Sequence, residues 1–211
     1  MPRTNIAQAP LLVATTLVAL SSLTIAGCAT TRVAAEWRDP QFASRSLRGE
    51  KVLVICDAKD TAIKRICEDG IAARVTAAGG VPVKGAETAN LTVGPPPAND
   101  KSLAAARSAG AKAILGTTIA PDATVVNPGP SFGFGFGGFG GGVGLGVGVG
   151  VPVGASQVST AYAADMVLTD VDTVRVMWTS KVTTPASQDI NNQISDLAKA
   201  GVEAAQKSGL F

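Results

Sequence analysis

The sequence predicts an α/β domain: a single mixed-sheet sandwich with the order β-α-β-α-β, a glycine-rich insertion, then β-β-α. Three observations carry this. Two β-rich apolar runs, KVLVICD at 51–57 and KAILGTTIA at 112–120, are separated by stretches of helical period, the pattern of buried strands joined by crossovers. Two long strand-like segments, STAYAADMVLTD at 159–170 and TVRVMWTSKVTT at 173–184, flank a two-residue turn and signal antiparallel pairing. The chain then closes on a segment with its apolar residues along one helical stripe.

Each element has a local cause. After the first strand, Ile63, Ile66, Cys67, Gly70 and Ile71 recur at helical spacing and Gly79-Gly80 stops the helix. VPVKG at 81–85 is a short second strand. GPPP at 94–97 breaks the chain, Asn99 or Asp100 caps an alanine-rich helix, and Gly110 ends it. The third strand follows, and the parallel part calls for right-handed crossovers. In the later hairpin Val171 and Asp172 form the turn, and Val174, Val176, Trp178 and Val182 are expected on one face. The last helix lines up Ile190, Ile194, Leu197, Val202 and Ala205, with Gly209 as the residue after its cap.

The N-terminus reads differently. Arg3 is the only charge before Arg32, and APLLVATTLVALSSLTIAGC at 9–28 has the basic start, apolar middle and small-residue end of a secretory signal peptide. Ile25, Ala26, Gly27 and Cys28 resemble the lipobox of bacterial lipoproteins. That resemblance implies that the Cys28 thiol takes diacylglycerol and that the chain is cut between Gly27 and Cys28. Residues 1–27 are then the signal peptide, 28–50 a lipidated N-terminus and tether, and 51–211 the folded domain. Ala29, where enteric lipoproteins kept in the inner membrane carry aspartate, implies the outer membrane. Trp37 in the tether either packs on the domain, the preferred reading, or sits at the lipid interface.

Within 129–154 glycine alternates with apolar residues and no charge occurs. Glycine at every second position raises backbone entropy and leaves strand register poorly specified, and Pro128, Pro130 and Pro152 bracket the run. It is therefore expected to be a dispensable insertion between two strands. The competing reading is a membrane hairpin, with Ser131–Phe139 and Val143–Val153 as strands of spanning length and Gly140–Gly142 as the turn. Such a hairpin needs several subunits to close its edges.

Chemistry is sparse. The chain has no histidine, which excludes Ser-His-Asp and Cys-His catalysis and most zinc sites. A G-x-G-x-x-G match from Gly133 to Gly138 is forced by composition and lacks a following helix. Asp170 and Asp172 form a D-x-D that suits either a divalent cation or, as preferred, the hairpin turn. Asp57 and Asp60 lie at the carboxyl end of the first strand, a usual ligand edge, though a helix cap is the plainer role. Lys and Arg number 18 against 16 Asp and Glu, too even a balance to attract nucleic acid. No cofactor, metal or catalytic residue is implied.

Cys56 and Cys67 lie near the junction of the first strand and first helix. In an oxidising compartment they either form a disulfide that staples helix to sheet or stay as two buried thiols.

The lipobox, VLVIC, CEDGIAARVTAAGG, AGAKAILGTT, the glycine-rich insertion and LTDVDTVRVMWTSKV together resemble a class of small bacterial envelope lipoproteins. In fold type the chain is also similar to lipoproteins that activate peptidoglycan synthases and to the lipoprotein subunits of the curli secretion pore, a likeness that does not carry function. The expected role is a lipid-anchored, non-catalytic interaction or assembly module. Its partners are the membrane, through the N-terminal lipid, and an envelope protein or a second copy. An oligomeric outer-membrane pore or secretion subunit is the alternative, and an enzyme using carboxylates near Asp57 the weakest.

Overall fold

The structure, a computed structural model, describes residues 30–85, 91–94, 96, 98–127, 131–134, 149–152 and 157–211. Its centre is a six-stranded mixed sheet. The strands are β1 (Arg32–Arg38), β2 (Lys51–Asp57), β3 (Val81–Lys84), β4 (Ala113–Asn127), β7 (Gln157–Asp170) and β8 (Arg175–Thr183), in the spatial order β1-β8-β7-β4-β2-β3. β2 runs parallel to β3 and β4, and the β4–β7, β7–β8 and β8–β1 pairs are antiparallel. The mixed α/β class is thus the one the apolar periods predict.

Helices cover both faces, which explains why β2 is apolar at consecutive positions. Val52, Val54 and Cys56 face the cluster formed by α1 (Thr61–Ala77) and α3 (Ile190–Lys207), with Ile71, Val75, Ile194 and Leu197 from the helices. Leu53 and Ile55 join the opposite cluster with Leu103 and Ala106 of α2 (Asp100–Ala109). The helix ends have local causes. Asp60 Oδ1 accepts from the N–H groups of Ala62 and Ile63 at 2.7 and 3.2 Å, Asn99 Oδ1 accepts from Ser102 N–H at 2.9 Å, and Gly110 closes α2 with φ of 68°. Where α3 crosses β7 the approach is close: a Cβ on Gly201 would lie 2.0 Å from Met166 Sδ.

Four expectations are corrected. Residues 32–38, read within a tether over 28–50, form β1, the edge strand on β8. They are held there by side chains as well as by the ladder. Trp178, fully buried, donates its indole N–H to Glu36 Oε1 at 2.7 Å, Ser208 Oγ donates to the same oxygen, and Arg175 pairs with Asp39 at 2.8 Å. Trp37, expected to pack on the domain, is instead 50% exposed.

The third strand does not stop at Ala120 but continues through Pro121 to Asn127. Proline is tolerated because β4 pairs with β2 only as far as Thr118, so the next N–H on that side has no strand to serve. Finally, Val174, Val176, Trp178 and Val182 do not share one face. The ladder steps from Leu168↔Trp178 to Thr169↔Val176, leaving Met177 as an extra residue. Val174, with φ of 55°, packs on the α2 side, while Met177, Trp178 and Val182 pack on the other.

A separate two-stranded sheet pairs β5 (Ser131–Phe134) with β6 (Val149–Pro152), from Ser131↔Pro152 to Phe134↔Val149. The ends of the glycine-rich segment are therefore paired backbone. The remainder of 129–154, residues 1–27 that the sequence reading takes as a signal peptide, and Cys28 with its expected cleavage partner Gly27 lie outside the described residues.

Candidate functional site

The acidic residues take structural roles. Asp60 is the N-cap of α1. Asp57 is half-buried at the end of β2. Asp170 is buried, accepts from Thr173 N–H at 2.9 Å and from its hydroxyl at 2.8 Å, and faces Arg45 at 3.6 Å. This makes it an anchor of the four-residue turn Val171–Val174. Asp172 is exposed and faces Lys112 at 3.5 Å. The two aspartates thus have different partners. Among the described residues no group of three or more Cys, Asp and Glu could hold a metal ion.

Cys56 and Cys67 are joined by a disulfide with their Cα atoms 6.1 Å apart, stapling β2 to α1. Beside it Glu68, buried, accepts from Cys56 N–H at 3.2 Å. A small apolar cavity between α2 and the sheet, lined by Ile55, Val93, Ile114 and Gly116 among others, encloses about 20 Å³, room for one water and not for a substrate.

What the fold does present is an arm. Past the β2 pairing, β4 and β7 continue as a two-stranded ribbon, with Pro121↔Tyr162, Ala123↔Ala161 and onward to Asn127↔Gln157. At its base Thr160 bridges to Ser187, and Gln193 donates through Nε2 to the Thr160 carbonyl at 2.8 Å. Beyond that brace the ribbon is exposed. Val126 and Val158 sit directly opposite each other at 57% and 54% exposure, and Val125 beside them at 44%. Between Lys112 and Asp165 the sequence carries a single charge, Asp122.

Topology places the arm relative to the start of the domain. Arg32 pairs with Thr183, Thr183 with Ala163, and Ala163 with Ala120, so the first residue of β1 and the root of the arm stand in one row of the sheet. Thr30, Arg32, Asp122, Thr183, Thr184 and Pro185 line one open cleft of about 460 Å³. A second, of about 410 Å³, runs from Thr30 and Thr31 along α3 past Asp196, Lys199 and Glu203. Sequence reading missed this neighbourhood because it had β4 ending before Pro121 and β1 as a tether. The β-branched run Thr124-Val125-Val126 was the available signal.

No protein-family model matches the chain, and no curated protein matches it. Among solved structures it is similar to the PelC dodecamer from Paraburkholderia phytofirmans, at 14% identity over 86% of this chain and 99% of that one, with a TM-score of 0.48. It is also similar to a PelC variant dodecamer from the same organism, at 15% identity over 82% and 96% of the two chains, with a TM-score of 0.43.

Proposed function

We propose that the chain is a lipid-anchored protein of the bacterial envelope, held at the outer membrane through Cys28 and facing the periplasm, that acts as a non-catalytic interaction or assembly module. The observation that carries this reading is the β4–β7 arm. An isolated two-stranded ribbon is marginal in water, and this one exposes a facing pair of valines instead of charges, as a surface meant to be covered does. The lipobox at 25–28 supplies the anchor.

The test is site-specific photocrosslinking from Val125 in cells, combined with membrane fractionation. A crosslinked product in the outer-membrane fraction supports the module. A chain that fractionates as free periplasmic protein and crosslinks to nothing overturns it.

A second reading, a subunit of an oligomeric outer-membrane pore or secretion assembly, is favoured by the β5–β6 pairing, whose register is centred in sequence on Gly141 and Gly142. Ring-shaped oligomers on native electrophoresis of detergent extracts would support it.

A further inference from the structure

We infer that the β4–β7 arm lies against the same bilayer that holds the Cys28 lipid, with Val126 and Val158 as its lipid-contacting residues. The inference rests on the lipid-anchored reading and names the surface that the arm meets.

Geometry supplies the argument. Cys28 stands four residues before Arg32, so the anchored thiol lies at most about 14 Å from the sheet row that holds Arg32 and Ala120. The arm leaves that row from Ala120 and runs to Asn127, about 20 Å at the rise of a strand. The chain enters β1 from the end of the sheet at which the arm leaves it, and the cleft shared by Thr30 and Asp122 shows that the two paths are neighbours. The leash is thus shorter than the arm. A bilayer close enough to hold the acyl chains is close enough to be reached by the arm, which lies along it and does not enter it, because the open edges of two strands would go unsatisfied in hydrocarbon.

Composition agrees. After Asp122 at the root, no charge occurs on the arm or before Asp165, so approach to lipid desolvates no ion. Val126 and Val158 present one apolar face and Val125 the other. Both clefts beside Thr30 are lined by polar and charged groups, among them Arg32, Asp196, Lys199 and Glu203, as suits residues at the level of the headgroups.

The experiment uses the full lipidated chain in vesicles of phosphatidylethanolamine and phosphatidylglycerol containing brominated lipid. With Cys28 acylated and Cys56 and Cys67 bridged, Val126→Cys, or Val158→Cys as the second site, provides one reactive thiol for an environment-sensitive dye. Val81→Cys is the control, because Val81 pairs with Lys51 at the opposite end of the sheet. The expected result is a blue shift and loss of most of the emission for dye at 126 and at 158, with none at 81. If the chain floats with the vesicles but 126 and 158 are unquenched, the arm does not meet lipid and only this inference falls. A dye that is shifted yet unquenched, increasingly so at higher protein density, means that a second copy covers the arm and likewise overturns it. A chain that fails to float overturns the anchored reading and this inference with it.

Discussion

The indole N–H of Trp178 donates to the carboxylate of Glu36 at 2.7 Å, across 142 residues of sequence, and so ties the first strand of the domain to a side chain in the middle of its core. Glu36→Ala would leave that donor without its partner in a mostly desolvated place, at a cost of about 1 kcal/mol. Glu36→Gln, which keeps an acceptor, should lose less. Urea denaturation of the three proteins gives the comparison, and equal midpoints would show that the bond does not hold β1.

The Cys56–Cys67 bridge closes a short loop between β2 and α1. Its removal by Cys56→Ala with Cys67→Ala should cost about 2–4 kcal/mol. Intact mass after alkylation should show no accessible thiol at either position until a reductant is added. Labelling of both without reductant would mean that the protein lacks the bridge.

Cys28→Ser should abolish lipidation and leave an unprocessed precursor. Mass spectrometry of wild type should find a diacylglyceryl group on this thiol. Ordinary cleavage of the serine variant and its release into the periplasm would contradict the lipobox reading.

At Gly201 α3 packs tightly on β7. A methyl group there meets Met166 Sδ at 2.0 Å, so Gly201→Ala should destabilise by about 1–3 kcal/mol as Met166 is displaced from a packed core. Adding Met166→Ala removes the clash while opening space of its own. The two changes should therefore couple, the double variant losing less than the sum of the singles. Strict additivity in thermal or urea unfolding would place the strain elsewhere.

Replacing residues 129–154 with a short Asn-Gly turn should leave the thermal midpoint nearly unchanged. The β4–β7 ladder already closes to Asn127↔Gln157, and the two core clusters are built from residues on either side of the segment. A large drop in midpoint, or loss of an assembly that wild type forms, would show that the segment is structural.

What the sequence made legible was local. Asp60 and Asn99 cap their helices because a short oxygen-bearing side chain reaches the next N–H groups, and Gly110 ends α2 because it enters the left-handed region without cost. Those causes lie within a few residues of their effects. β1 was hidden for the opposite reason: Arg32, Glu36 and Arg38 give it the polar look of a linker, and what makes it a strand is β8, far along the chain. Pro121 concealed the arm because it ends most strands, and only the missing neighbour beyond Thr118 permits it here. The candidate site divides in the same way. The lipobox resemblance at 25–28 is local, whereas the adjacency of Thr30 and Asp122 depends on the full strand order.

The position of β1 also orders events in time. Its partner β8 is the last strand of the sheet in sequence among the described residues, and Leu47, just past β1, donates its N–H to the carbonyl of Leu210, just past α3. During synthesis the N-terminal strand is made long before the segments that fold it. High separation of contacting segments slows folding, and here it prevents the finished sheet from forming on a partly made chain. β1 accordingly stays unpaired until β8 and the residues after α3 have been made, and its docking is a late step of folding.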